Sequence, residues 1–121
     1  MATDFAPIHD PGKAYSRTTS ADVTAGQVLI VSGDDTVAPS SGASASVLGI
    51  AAFAASSGSD VTVLSGGVYE LASTGTINAG DLVTSAAAGV VAAFSGTTYS
   101  TIIGIALKAA ASSKVTVKLF R

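Results

Sequence analysis

The side chains that could carry out chemistry are few and poorly placed for it. His9, beside Asp10, is the only histidine, and Asp34 and Asp35 are the only adjacent acids. A Ser–His–Asp triad would need His9, which lies in a proline-flanked segment without a rigid support. A metal site takes three or four ligands, and no oxygen ligands follow Asp34 and Asp35 at calcium-loop spacing. No G-x-S-x-G, G-x-G-x-x-G or P-loop motif is present, so we expect no enzyme, no cofactor and no metal.

The composition excludes several further classes of protein. The chain has 121 residues, which predicts one domain, and no cysteine, which excludes a disulfide scaffold and a thiolate site. It begins without a basic or apolar leader, and its longest apolar stretch, 86–94, is far shorter than the ~18–20 residues that cross a bilayer. A pI near 4.9 without a basic, aromatic cluster argues against nucleic acid. We therefore expect a protein made in a cytoplasm with no membrane or nucleic-acid partner.

The surface is predicted to be poor in charge. Charged residues make up 12% of the chain, about half the usual share. A surface with few charges does little to prevent association. This favours a body that is covered by partner molecules over a monomer whose surface consists of small residues. The charges are also segregated, because residues 1–81 carry two bases and eight acids, while residues 82–121 carry four bases and no acid. This would give the fold an acidic and a basic part, unless folding scatters the charges over the surface.

The elements that would position any site are repeated along the chain. Ala-Gly-Gln-Val-Leu at 25–29 recurs as Ala-Gly-Asp-Leu-Val at 79–83, 54 residues later. Val-Leu-Gly-Ile-Ala at 47–51 recurs at 102–106, and Ser-Asp-Val-Thr-Val at 59–63 recurs at 113–117. The matches predict two copies of one β-rich unit, 25–64 and 79–118. Gly66-Gly67 predicts a tight hairpin within 65–78 that joins them.

Short β-rich segments separated by turns predict an all-β fold with at most one or two short helical turns, one of them near 107–112. Gly26 and Gly80 suit turns that need a positive φ. Gly49 and Gly104 lie inside apolar strands, where glycine marks a bulge or a close backbone approach. Such bends would curl the two similar halves into a compact β-barrel or β-tulip. Residues 1–19 contain two of the three prolines and show no sustained apolar period. They predict an extended N-terminal arm outside a single β domain at 20–121.

The order of these motifs resembles the small decoration, or cement, proteins of tailed-phage capsids, the group similar to the lambda-type head decoration protein. The similarity runs over nearly the whole chain. It comprises the arm Asp-Phe-Ala-Pro-Ile-His-Asp-Pro-Gly-Lys at 4–13, Ala-Gly-x-Val-Leu at 25–29, the Gly-Ile strand at 48–51, Val-Thr-Val-x-Ser-Gly-Gly-Val at 61–68, Ala-Gly-Asp at 79–81 and Ile-Gly-Ile-Ala-Leu at 103–107.

The resemblance implies a structural, non-enzymatic role in the virion. Such proteins bind the outer surface of the matured capsid, usually as homotrimers, and clamp neighbouring major capsid protein subunits against internal pressure. Their N-terminal arm commonly pairs with capsid strands. By this analogy the capsid contacts here are Phe5, Pro7, Ile8, His9 and Tyr15, and the charge-poor body forms the trimer interface.

Two other classes of function stay open at this point. A β-rich module of a phage tail, fibre or cell surface could bind a receptor or a glycan, and a concave pocket lined by aromatic side chains would favour it. The three tyrosines, Tyr15, Tyr69 and Tyr99, are few and scattered for such a stacking surface. A small enzyme is the third reading, and the missing catalytic constellations count against it.

Overall fold

The computed structural model describes residues 14–120 and consists almost entirely of β-strands. A single 3-10 turn, Tyr99–Thr101, is the helical element of this part of the chain, and no helical turn forms at 107–112. The prediction of an all-β fold is confirmed. The strands are β1 (Ala14–Thr19), β2 (Val28–Gly33), β3 (Thr36–Pro39), β4 (Val47–Ala51), β5 (Asp60–Leu64), β6 (Gly67–Ala72), β7 (Leu82–Ser85), β8 (Val91–Ala93), β9 (Ile102–Ala106) and β10 (Lys114–Leu119).

The strands form two halves with one topology, as the repeat predicts. The first half, 14–64, is a closed barrel in the order β1-β3-β2-β4-β5, and the second, 67–119, is a sheet in the order β6-β10-β9-β7-β8. The registers match at the repeat offset: Tyr15 lies opposite Val63, and Tyr69 lies opposite Val117. A parallel pairing of β1 with β3 closes the barrel, and a single parallel bridge between Ser73 and Val91 stands at the equivalent place in the second half.

The two strand glycines sit where the backbone bends and comes close to its neighbour. β4 pairs with β2 through a register shift next to Gly49, and β9 pairs with β7 through the same shift next to Gly104. A methyl group at Gly104 would lie 2.5 Å from the Lys118 carbonyl oxygen, and one at Gly49 would lie against the equivalent oxygen of Leu64. The predicted bulges are confirmed, and they let each half curl.

The buried apolar residues form two clusters, one inside the barrel and one that joins the barrel to the second half. Alternation along Val61-Thr62-Val63 points both valines into the barrel, as a half-buried strand requires. Val28, Val47 and Ile50 point out of the barrel instead, and they belong to the core cluster of the second half. The barrel interior is formed by Val23, Leu29, Val37, Ala51, Val61 and Val63, and the equivalent residues of the second half are Ile77, Val83, Val91, Ala106, Val115 and Val117.

Two details differ from the prediction. The sequence places residues 14–19 in the arm, but they form β1, which pairs with β5 on one side and β3 on the other. Main-chain pairing on both edges stabilises this polar strand without an apolar pattern. The predicted hairpin at Gly66-Gly67 is wrong, because β5 belongs to the barrel and β6 pairs with β10. The glycines, with φ of 66° and 90°, instead carry the chain from one half to the other.

Candidate functional site

The residues predicted to contact a capsid are only partly within the described structure. Phe5, Pro7, Ile8 and His9 lie outside residues 14–120. Tyr15 lies in β1, where its backbone is opposite Val63. The arm as a binding element therefore stays a prediction, and its anchoring point is now known: the chain enters the barrel at Ala14.

The adjacent acids form an exposed turn. Asp34 and Asp35 connect β2 to β3, and Asp35 has a φ of 54° in the left-handed region. Arg17 Nε lies 3.5 Å from Asp35 Oδ1, but the Asp35 side chain is so exposed that this ion pair adds little stability. Across residues 14–120 no three His, Cys, Asp or Glu side chains come together as metal ligands.

Apolar side chains are exposed mainly on the second half. Five of the seven large hydrophobic residues that are exposed among those described lie there; the seven are Val31, Phe53, Val68, Leu82, Tyr99, Leu107 and Phe120. The described charges also divide between the halves. The barrel carries Arg17 against four aspartates, whereas the second half carries three lysines against Glu70 and Asp81. The less acidic half is therefore also the more apolar surface.

A row of neighbouring side chains runs across the second sheet on its outer side. Leu82 is opposite Ile105 and Ile105 is opposite Lys118. Lys118 is in turn opposite Val68. Directly opposed residues project from the same face, so these four side chains form one surface, which we call the open face.

The same row in the barrel is covered at two of its four positions, Val28 and Ile50. Its equivalents are Val28, Ile50, Leu64 and Ala14, paired in the same register. Val28 and Ile50 are 0% and 2% exposed because the second half packs on them, whereas Leu82 is 38% exposed. The repeat thus forms this surface in both halves, and the chain covers part of it only in the barrel.

The clefts offer little to a small ligand. One of about 310 Å³ is lined by Thr84, Phe94, Thr98, Thr101 and small neighbours, and one of about 270 Å³ lies between the halves near Glu70 and Lys114. Ligand pockets are typically ~300–1,000 Å³ and mostly apolar. Phe94 and Tyr99, with ring centroids 5.6 Å apart, are the nearest approach to an aromatic lining. Neither cleft resembles a carbohydrate-stacking pocket.

Sequence reasoning missed the open face and part of the repeat. The motif Ala-Tyr at 14–15 recurs as Val-Tyr at 68–69 at the same offset of 54 as the other matches, so the repeated units begin at 14 and 68. That signal was available in the sequence. The open face carried none, because apolar strand residues look alike whether or not another half covers them.

Comparisons with known proteins agree with this architecture. The family model described as phage cement protein matches residues 9–120. A solved structure, the crystal structure of the head fiber gp8.5 N base in bacteriophage phi29, is similar in fold with a TM-score of 0.70 and 19% sequence identity, over 88% of this chain and 92% of that chain. No curated protein matches. Among residues 14–120 no helix is long and apolar enough to cross a membrane. Since the family model spans nearly the whole chain, the chain belongs to the phage cement protein family.

Proposed function

We propose that the chain is a capsid decoration protein that binds the outer surface of a phage head as a homotrimer and stabilises it by clamping major capsid protein subunits. The match of the family model to residues 9–120 carries this proposal. The absence of catalytic constellations in the sequence and the apolar, charge-poor second half support a structural role rather than an enzymatic one.

The barrel supports a mechanical use of the arm. β1, which follows the arm directly, pairs with five successive residues of β5 and also with β3. A load on the arm would therefore act on several main-chain hydrogen bonds between β1 and β5 together, and Thr18 and Thr19 at the far end of β1 also pair with β3. An arm that pairs with capsid strands, with Phe5, Pro7, Ile8 and His9 as contacts, would transmit force between a shell subunit and a closed barrel. Three arms on one trimer would add avidity.

Removal of residues 1–13 tests the proposal and leaves β1 intact. We expect the truncated protein to keep the thermal transition of the full chain and to lose co-sedimentation with expanded capsids. A full-length pair refines the test. Phe5→Ser with Ile8→Ser should weaken binding, whereas Thr3→Ser with Ala6→Ser, a control in the same segment, should not. Undiminished co-sedimentation of the truncated protein would refute the role of the arm.

A second candidate comes from the structural comparison. The phi29 protein is the base of a head fiber, and this chain covers 92% of it. A base that holds a further part on the head would need the same attachment to a shell. Electron microscopy of decorated capsids separates the two, because a cement protein contributes only its own compact density, whereas a base carries a projection.

A further inference from the structure

The second half packs on the barrel by inserting a hairpin turn. The turn Ala88-Gly89 lies between β7 and β8, and the Val28 N–H donates to the Gly89 carbonyl at 2.8 Å. The Gly89 N–H donates to the Ser40 carbonyl at 3.1 Å, so one residue bridges two backbone groups of the barrel. Gln27 Nε2 also donates to the Ala88 carbonyl at 3.1 Å.

Only glycine fits at the tip of this turn. Gly89 has a φ of 72°, and a Cβ there would lie 2.7 Å from Cβ of Gln27. The close approach to Gln27 excludes other side chains, and the left-handed backbone disfavours them. The contact is therefore specific for a turn that carries glycine at its second position.

The second half has an equivalent receiving place. Shifted by the repeat offset of 54, Gln27, Val28 and Ser40 become Asp81, Leu82 and Phe94. The Phe94 N–H donates to the Leu82 carbonyl at 2.7 Å, as the Ser40 N–H donates to the Val28 carbonyl at 2.9 Å. Within residues 14–120 nothing bridges the Leu82 N–H and the Phe94 carbonyl. We call Asp81, Leu82 and Phe94, with the 67%-exposed Tyr99 beside them, the socket.

The chain's own equivalent turn does not fit this socket. Asp34 and Asp35 stand where the second half has Ala88 and Gly89. In the socket, the Cβ of Asp35 would meet the Cβ of Asp81, just as a Cβ at Gly89 would meet Gln27. Three carboxylates would also be brought together. A turn that did fit would make a head-to-tail contact, which propagates into filaments unless it closes. We therefore expect the two aspartates to prevent the barrel turn of one molecule from binding the socket of another.

We propose that the socket receives a glycine-containing tight turn of the capsid shell protein, without an acidic side chain. This rests on the proposed function for the identity of the partner. The geometry of the internal contact supplies the shape, and Asp81 excludes acidic turns and favours neutral or basic ones. The apolar rim of Leu82, Phe94 and Tyr99, continuous with the open face, supplies the buried surface that two main-chain hydrogen bonds alone would lack.

Replacing Asp34 and Asp35 tests the socket without the capsid shell. The variant Asp34→Ala with Asp35→Gly gives the turn of the first half the Ala-Gly pair of the second half and removes both carboxylates. We expect sedimentation velocity to show species larger than the wild-type assembly, increasing with concentration. Adding Asp81→Gln, which restores the side chain of Gln27, should strengthen association. Adding Leu82→Glu, or Tyr99→Ala as a milder change, should weaken it by about tenfold or more.

Matched controls make the result decisive. Asp60→Asn with Glu70→Gln removes the same charge from exposed positions outside the turn and should sediment as wild type. If the Ala–Gly turn produces no larger species, or if the charge control produces the same ones, the socket does not exist as proposed. In the full chain, Leu82→Glu and Tyr99→Ala should also reduce capsid co-sedimentation. If both bind like wild type, the shell turn is not the occupant, although wild-type binding would still support the decoration role.

Discussion

Alanine at Gly104 should destabilise the protein sharply, because a backbone atom occupies the space the methyl group needs. The added Cβ would lie 2.5 Å from the Lys118 carbonyl oxygen and 2.8 Å from Val117 Cγ1. A comfortable C···O contact is about 3.3 Å or more. The valine side chain has alternatives, but the carbonyl belongs to the β9–β10 ladder and moves only with the strand.

The magnitude follows from two opposing effects. Overpacking in a rigid core costs about 1–3 kcal/mol, and a backbone neighbour places this site at the upper end. Alanine also restricts the unfolded chain, which returns about 0.4–1 kcal/mol. The net loss is about 2 kcal/mol, or a melting temperature lower by about 8 °C for a domain of this size.

Gly42→Ala is the matched control. Gly42 has no positive φ, and a Cβ there would meet nothing within 4 Å, so only the gain in the unfolded state remains. Urea unfolding of both variants should place them about 3 kcal/mol apart. Because Val28 and Ile50 belong to the core of the second half, each variant should unfold both halves in one transition. If Gly104→Ala is as stable as Gly42→Ala, the close approach of β9 and β10 does not determine stability.

Substitutions at two further positions, Gln27 and Asp35, test the turns. Gln27→Ala should lower the free energy of unfolding in urea by about 1–2 kcal/mol, because Gln27 Oε1 accepts from the Thr24 N–H at 2.8 Å while its Nε2 donates to the Ala88 carbonyl. Gln27→Glu keeps only the first of these bonds, so its stability should lie between those of Gln27→Ala and wild type. Equal stability of all three proteins would contradict this interpretation. Asp35→Gly should leave stability unchanged or raise it by up to about 1 kcal/mol, because it relieves a positive φ of 54° and removes only an exposed ion pair; a loss above that size would mean that the Arg17 contact matters more than its exposure suggests.

The repeat and its glycines were predictable because both follow from local chemistry. Glycine inside an apolar strand usually marks a bulge or a close backbone approach, and Gly49 and Gly104 both lie at such a close approach. β1 was not predictable from its own pattern, since Ser16, Arg17 and Thr18 do not alternate with apolar residues. A closed barrel needs a strand between β3 and β5, and the barrel's topology supplies the pairing that composition does not.

The wrong hairpin at Gly66-Gly67 has a topological cause. Two glycines between β-rich segments are a strong local hairpin signal. A hairpin also needs a free edge on its first strand, and β5 has none, because β1 and β4 pair with its two sides. Whether a strand has a free edge is decided by residues distant in sequence, so no local window contains that information.

The positions at which the two copies differ distinguish the surface buried between the halves from the surface left exposed for a partner. Ala88-Gly89 docks on Val28 and Ser40 of the barrel, whereas we expect its counterpart Asp34-Asp35 not to dock on the socket of the second half. Val28 is covered and its counterpart Leu82 is exposed. Had the copies stayed identical, the contact that joins the halves would also join molecules end to end. Two acidic residues at one turn limit that contact to a single use, and they leave the second half with an apolar surface available to a different protein.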